Sequence, residues 1–223
     1  MPQRKSKRVL IYFFLLILVG SINNININNL AIEKVKNIKI SGLDSAENKM
    51  LLEEINNLNL QNIFLLNRYK IKSLIEANSL IEKYEIKKKY PYSLDIKIEK
   101  TDFLAKLNKN GKIYFIGKNG KLSNKISSKE DLPYIFGKPE INEFLKFKRI
   151  IDQSEIEYQQ IKSLFYFQSK RWDIKLKNNT LIKLPYNLKK ESLDTIVLFL
   201  NDKNFKNAKI IDARIVNKII INE

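Results

Sequence analysis

Residues 9–19 read VLIYFFLLILV, an unbroken apolar row, and the eight residues before it, MPQRKSKR, carry four positive charges and no acid. Such a segment enters a membrane or serves as an export signal. Eleven residues make only about 16 Å of helix at about 1.5 Å per residue, against about 30 Å of hydrocarbon. A full span therefore has to run on through Gly20, Ser21 and Ile22 to residue 27, with Asn23, Asn24 and Asn26 at the far interface. The next positive charge is Lys34, so the basic residues beside the span all precede it. The positive-inside rule then puts residues 1–8 in the cytoplasm and the rest of the chain, beyond an anchor at 9–27, outside it. A cleaved signal peptide is the competing reading, with small residues available at Val19-Gly20-Ser21.

The 223 residues contain no Cys and no His. That removes disulfides, thiol nucleophiles, thiolate or imidazole metal sites and imidazole acid–base chemistry together. The acids are scattered, as at Glu53-Glu54, Asp131, Asp194 and Asp212, so no carboxylate pair suggests hydrolysis, and neither catalytic nor metal- or cofactor-binding residues are expected. Gly117-Lys118-Asn119-Gly120-Lys121 lacks the spacing of a phosphate loop, which needs four residues between its glycines and then Lys-Ser/Thr. The formal charge of +17 comes from 35 Lys and only 6 Arg spread over every segment. A nucleic-acid binder would concentrate its charge and favour Arg with interleaved aromatics, so a solvated basic surface is the better account and no nucleic-acid partner is expected.

Beyond the apolar segment the chain reads as α+β. Ile38 and Ile40 alternate with polar neighbours, a short half-buried strand. Asp44 or Ser45 can cap a helix to about residue 58, with Met50, Leu51, Ile55 and Leu58 on one face. A second helix over 69–77 turns Ile71, Leu74 and Ile75 inward. Tyr84 and Ile86 precede a break at Tyr90-Pro91, after which Tyr92, Leu94, Ile96 and Ile98 share one strand face. From Phe103 the pattern becomes a meander. Asn110-Gly111 and Asn119-Gly120 both suit two-residue hairpin turns, since Asn and Gly tolerate positive φ. Helices are expected over 140–151 and 187–200, with an indistinct stretch over 155–168 and two closing strands near 209–215 and 218–222.

The stretch RWDIKLKNNTLIKLP, residues 171–185, holds the only tryptophan. Trp172, Ile174 and Leu176 lie on one face, as do Ile182 and Leu184. A two-residue turn at Asn178-Asn179 would set these faces against each other, because a one-residue slip inverts every side chain. A three-residue loop, 178–180, aligns them, with Leu176 opposite Ile182, Ile174 opposite Leu184 and Trp172 opposite Tyr186.

Three stretches, in order, resemble the bacterial cell-division family FtsQ/DivIB. The first runs from Asn62-Ile63-Phe64-Leu65-Leu66 to Lys89-Tyr90-Pro91-Tyr92-Ser93-Leu94-Asp95-Ile96-Lys97-Ile98-Glu99-Lys100, and is similar to the end of that family's POTRA domain. The second is Arg171-Trp172-Asp173-Ile174-Lys175-Leu176 with Leu184-Pro185, and the third is Ile211-Asp212-Ala213-Arg214 before the last strand. Lys100-Thr101-Asp102-Phe103-Leu104-Ala105 departs from the family's usual Pro-x-Ala, and the tail before the apolar run is short.

The resemblance implies a single-pass protein of the inner membrane, periplasmic beyond its anchor and placed at the division septum. It implies a POTRA domain (βααββ) over 35–102 and a β-rich domain with flanking helices over 103–223. The implied role is a non-catalytic divisome scaffold that docks partners of the FtsB and FtsL families by strand addition. Carried onto this chain, the docking residues are Ile215, Val216, Asn217, Lys218, Ile219, Ile220 and Ile221, with Arg214 and with Lys170 or Arg171. Tyr90, Pro91, Trp172 and Asp212 are expected to be structural. The alternative is an envelope transport or assembly component, either a POTRA-type chaperone module or an LptC-like carrier. The two helices after the first strand argue against an all-β carrier.

Overall fold

The computed structural model describes residues 7–22, 34–124, 131–205, 208–215 and 218–222. The apolar run forms helix α1 (Lys7–Ile22), whose side chains at 9–19 are all at least half exposed. Its 16 residues make about 24 Å, and among the described residues no helix is long and apolar enough to cross a membrane. The remainder of the expected span, 23–27, lies outside the described residues, as do residues 1–6.

Alternation in 37–41 and 93–100 produces the first sheet. Strand β1 (Asn37–Ser41) is followed by α2 (Ser45–Asn56), α3 (Arg68–Ala77), β2 (Ile81–Lys89) and β3 (Ser93–Lys100). The spatial order is β1-β3-β2, with β1 parallel and β2 antiparallel to β3. Leu51 and Ile55 from α2 and Ile71 and Ile75 from α3 meet Leu94, Ile96 and Ile98 in one core. Glu47 accepts a bond from the Asp44 N–H at the start of α2, and Lys100 at the end of β3 reaches Asp44 at 2.7 Å. The Asn67 side chain caps α3 by accepting from the Tyr69 N–H.

Among the described residues nine strands form the second sheet, in the order β12-β11-β10-β9-β8-β7-β4-β5-β6. They are β4 (Phe103–Lys109), β5 (Lys112–Gly117), β6 (Leu122–Ser123), β7 (Tyr134–Phe136), β8 (Ile161–Tyr166), β9 (Trp172–Leu176), β10 (Leu181–Lys183), β11 (Ile210–Ile215) and β12 (Lys218–Asn222). Helix α4 (Ile141–Gln153) joins the parallel pair β7 and β8, and α5 (Lys190–Asn201) joins the parallel pair β10 and β11. The meander expected from Phe103 is therefore interrupted twice by helical crossovers. Phe144, Phe147 and Ile151 of α4 and Leu193, Ile196 and Val197 of α5 fill the core with Ile174, Ile182 and Ile211 from the sheet.

The turns refine the sequence reading. Asn110 and Gly111, at φ 54° and 79°, make the two-residue hairpin that pairs Lys109 with Lys112. Asn119-Gly120 does not, because Gly117 donates to Lys121 across the three-residue loop 118–120. The hairpin within 171–185 also has a three-residue loop, but it comprises 177–179 rather than 178–180. Leu176 donates to Thr180, Asn179 donates to Leu176, and Ile174 pairs with Ile182. The expected pairing of Ile174 with Leu184 is thus displaced by two residues, which leaves the apolar faces aligned. Asn179 takes the left-handed position at φ 70°, which suits Asn better than Thr. Thr180 is instead buried and donates to the Ala208 carbonyl.

The two units share their boundary. Phe103 and Phe115 belong to the second sheet yet pack into the first core, their rings 5.6 Å apart. The Asn119 side-chain amide donates to the Ser79 and Ile81 carbonyls at 3.0 and 2.9 Å, and Lys121 donates to the carbonyls of Glu76 and Asn78. The loop between β5 and β6 thereby grips the turn from α3 into β2.

Candidate docking edge

The terminal strand β12 lies at one edge of the nine-stranded sheet. It pairs with β11 through Ile210–Asn222, Ile211–Ile221, Asp212–Ile220 and Ile215–Lys218, with an irregularity between Asp212 and Ile215. Its other side carries no strand among the described residues, so a row of backbone donors and acceptors faces outward. Period-two geometry divides its side chains. Ile219 and Ile221 pack on the core, while Ile220 is 42% exposed and Ile215, at the end of β11, is 56% exposed. The run Ile219-Ile220-Ile221 is therefore apolar on both faces and covered on one. Val216 and Asn217 lie outside the described residues.

Beside this edge runs a groove of about 820 Å³. Pro185 and Tyr186 form one wall, Ser192, Thr195 and Phe199 of α5 a second, and Arg214, Ile215, Lys218 and Ile219 the third. Tyr186 is 63% exposed. The groove residues on α5 and at Tyr186 escaped the sequence reading, which followed only the inward face of the helix. The signal available was Leu198-Phe199, apolar residues outside the stripe of Leu193, Ile196 and Val197.

Two Arg–Asp pairs lie at this end of the sheet. Arg214 Nε donates to both Asp212 oxygens at 2.8 and 3.0 Å and Nη2 to Oδ2 at 2.6 Å. That hydrogen bonding holds Asp212 below the usual carboxylate range and raises Arg214. On β9, buried Asp173 accepts from Arg171 Nε at 3.2 Å and from the Leu184 N–H at 3.3 Å. Burial nevertheless pushes Asp173 up, against the pull of Arg171.

Asp173 feels both Arg214 and Arg171; Arg214, Ile215, Lys218, Ile219 and Ile220 lie together at the edge, and Lys170 and Arg171 stand at the same end of the sheet but further in. Those two enter β9, three strand spacings or roughly 14 Å from β12. Arg171 lies over the Phe167 ring at 4.5 Å, and Lys170, at φ 59°, stands 3.8 Å from Glu143. Trp172 stacks on Phe147 of α4, and Tyr166 lies against it at 4.8 Å. Tyr90 and Pro91, joined by a cis peptide bond, form the β2–β3 turn in the first unit. Among the described residues no group of carboxylates is arranged to hold a metal ion.

Comparison with known proteins gives two matches along the chain. Residues 33–100 match the model of a POTRA domain of FtsQ type, and residues 105–214 match the C-terminal region of the cell division protein FtsQ/DivIB. The cell division protein FtsQ of Rickettsia bellii (strain RML369-C) is 26% identical over 198 residues, covering 84% of this chain and 72% of the relative. The proteins of the same name from Rickettsia conorii (strain ATCC VR-613 / Malish 7) and Rickettsia felis (strain ATCC VR-1525 / URRWXCal2) are each 23% identical over the same extent.

Proposed function

The chain belongs to the FtsQ/DivIB family of cell-division proteins, and we propose that it is a non-catalytic scaffold of the divisome that captures a partner strand along β12. The single observation carrying this reading is the free edge of β12, flanked by outward Ile215 and Ile220 and by the groove against α5. A strand added there would satisfy the unpaired backbone groups, and its alternate side chains would cover Ile220 or enter the groove. The partners are membrane proteins of the FtsB and FtsL families. Arg214 and Lys218 border the site, whereas Lys170 and Arg171 would be reached only by a partner extending across the sheet.

The chain is divided into a cytoplasmic tail (1–8), an anchor (9–27), a POTRA domain (35–102) and a β domain (103–223). The apolar and exposed surface of α1 over 9–19 supports the anchor, since a helix apolar all round is covered by protein or lipid. The protein then spans the inner membrane once, with both folded units in the periplasm and the molecule at the septum.

The test is capture of the FtsB partner by the full chain in detergent micelles, comparing wild type with Ile220→Asp. Ile220 faces outward, so the variant is expected to fold and to lose most of the capture. Undiminished capture would remove β12 as the docking edge.

A further inference from the structure

The chain path puts several unrelated segments at one end of the first unit. Strand β1 leads away from that end, α2 returns to it, α3 leads away again and β2 returns to the turn at Tyr90-Pro91. Lys34, where the described chain resumes after α1, bridges to Asn62, and the Val35 N–H bonds the Gln61 carbonyl. The chain thus enters at the same end as the α2–α3 loop, the start of α3 and the β2–β3 turn.

That end is apolar at its tip and basic around it. The Asn62 side chain accepts from the N–H groups of Phe64 and Leu65, fixing a turn that leaves Phe64 60% and Leu65 69% exposed. Tyr90, 61% exposed, stands with its ring 5.0 Å from that of Phe64. Lys34, Arg68 and Lys70 are exposed in the same region. Residues 34–43, 57–75 and 86–94 together hold nine basic residues; Lys89 is paired with Asp95 at 2.8 Å and Lys87 with Glu85 at 3.0 Å, so the basic excess lies around Lys34, Arg68 and Lys70. Aromatic and aliphatic tips ringed by Lys and Arg are the chemistry of an anionic lipid interface, where rings settle among headgroups and cations meet phosphates.

We propose that this end of the first unit rests on the anionic phospholipid surface of the bilayer that holds α1, with Phe64, Leu65 and Tyr90 in the headgroup layer. The placement rests on reading α1 as the membrane anchor. Eleven residues separate Ile22 from Lys34, and they can reach at most about 40 Å, so the surface lies within reach of the patch. The basic excess and the exposed aromatic and aliphatic tip together match anionic lipid as the occupant, and α1 read as the anchor puts that lipid within reach.

The test uses the full chain reconstituted into vesicles of phosphatidylglycerol and phosphatidylcholine, with brominated acyl chains as quencher. Phe64→Trp reports the patch, Leu15→Trp reports α1, and wild type supplies the background of buried Trp172. Quenching at position 15 tests the anchor alone. Given that, the proposal expects blue-shifted, quenched emission at position 64, weaker in pure phosphatidylcholine, in high salt and in Arg68→Glu/Lys70→Glu. Solvent-like, unquenched emission at position 64 would overturn it. Blue-shifted but unquenched emission would also overturn it, by showing protein rather than lipid over the patch.

Discussion

The indole of Trp172 lies parallel to the ring of Phe147, 4.6 Å between centroids and 7° between planes, so the first residue of β9 is clamped to the middle of α4. Phe147 is only 3% exposed, and its removal leaves a cavity against the indole. Phe147→Ala is expected to cost about 3–5 kcal/mol. Urea unfolding in micelles followed by Trp172 fluorescence measures this. An unchanged midpoint would mean that the stack contributes nothing to the sheet–helix contact.

Asn119 holds the two units together with a short side chain. Asn119→Ala strips donors from the Ser79 and Ile81 carbonyls and is expected to cost about 1–3 kcal/mol. Asn119→Asp should be worse, since a carboxylate would face two carbonyls. Hydrogen exchange around residues 79–82 and 117–121 should accelerate in both variants while the distant strand β9 stays protected.

Asp173 and Asp212 titrate with opposite consequences. Burial raises Asp173, so the native chain holds that proton more tightly than the unfolded one. Stability should fall as pH rises from about 4 through the raised value. Hydrogen bonds from Arg214 lower Asp212, whose contribution is complete above about pH 4 and lost as pH falls through the lowered value. Relative to wild type, Asp173→Asn should therefore gain stability with rising pH across the weakly acidic range. Asp212→Asn should show a deficit that shrinks in strong acid. Parallel pH profiles for the two variants would contradict these assignments.

Gly42 and Gly111 both have positive φ but differ in surroundings. At Gly42, φ 117°, an added Cβ would lie 1.7 Å from the Ile98 carbonyl oxygen, whereas Gly111, φ 79°, has open space. Gly42→Ala is expected to cost about 3 kcal/mol or more, through strain and overpacking. Gly111→Ala should cost only the backbone strain, about 1–2 kcal/mol. Hydrogen exchange over residues 37–100 separates the two, with broad loss of protection in the first variant alone.

Elements with long, clean periodicity were legible in the sequence. The strand 93–100 shows its alternation undisturbed, and the helices at 45–56, 68–77 and 141–153 carry one apolar stripe each. Strand β7 has three residues and escaped because so short a run has no period to read. Strand β8 escaped because a bulge between Ile161 and Ser163 breaks the alternation. The parallel pairings through α4 and α5 were equally hidden, since strand direction is set by which face a helix covers and not by the strand's own residues. At the edge, the doubly apolar Ile219-Ile220-Ile221 was visible, but its groove was not. That groove joins Tyr186, Phe199 and Arg214, residues that only the β10–α5–β11 crossover brings together.

The grip of Asn119 and Lys121 on the carbonyls between residues 76 and 81 gives the molecule the property of a fixed strut. With the two cores sewn across Phe103 and Phe115, a load placed on β12 passes to the first unit without slack. The outer strand is thereby held at one distance and one orientation from the first core, so whatever pairs with it meets a platform that does not give at the join.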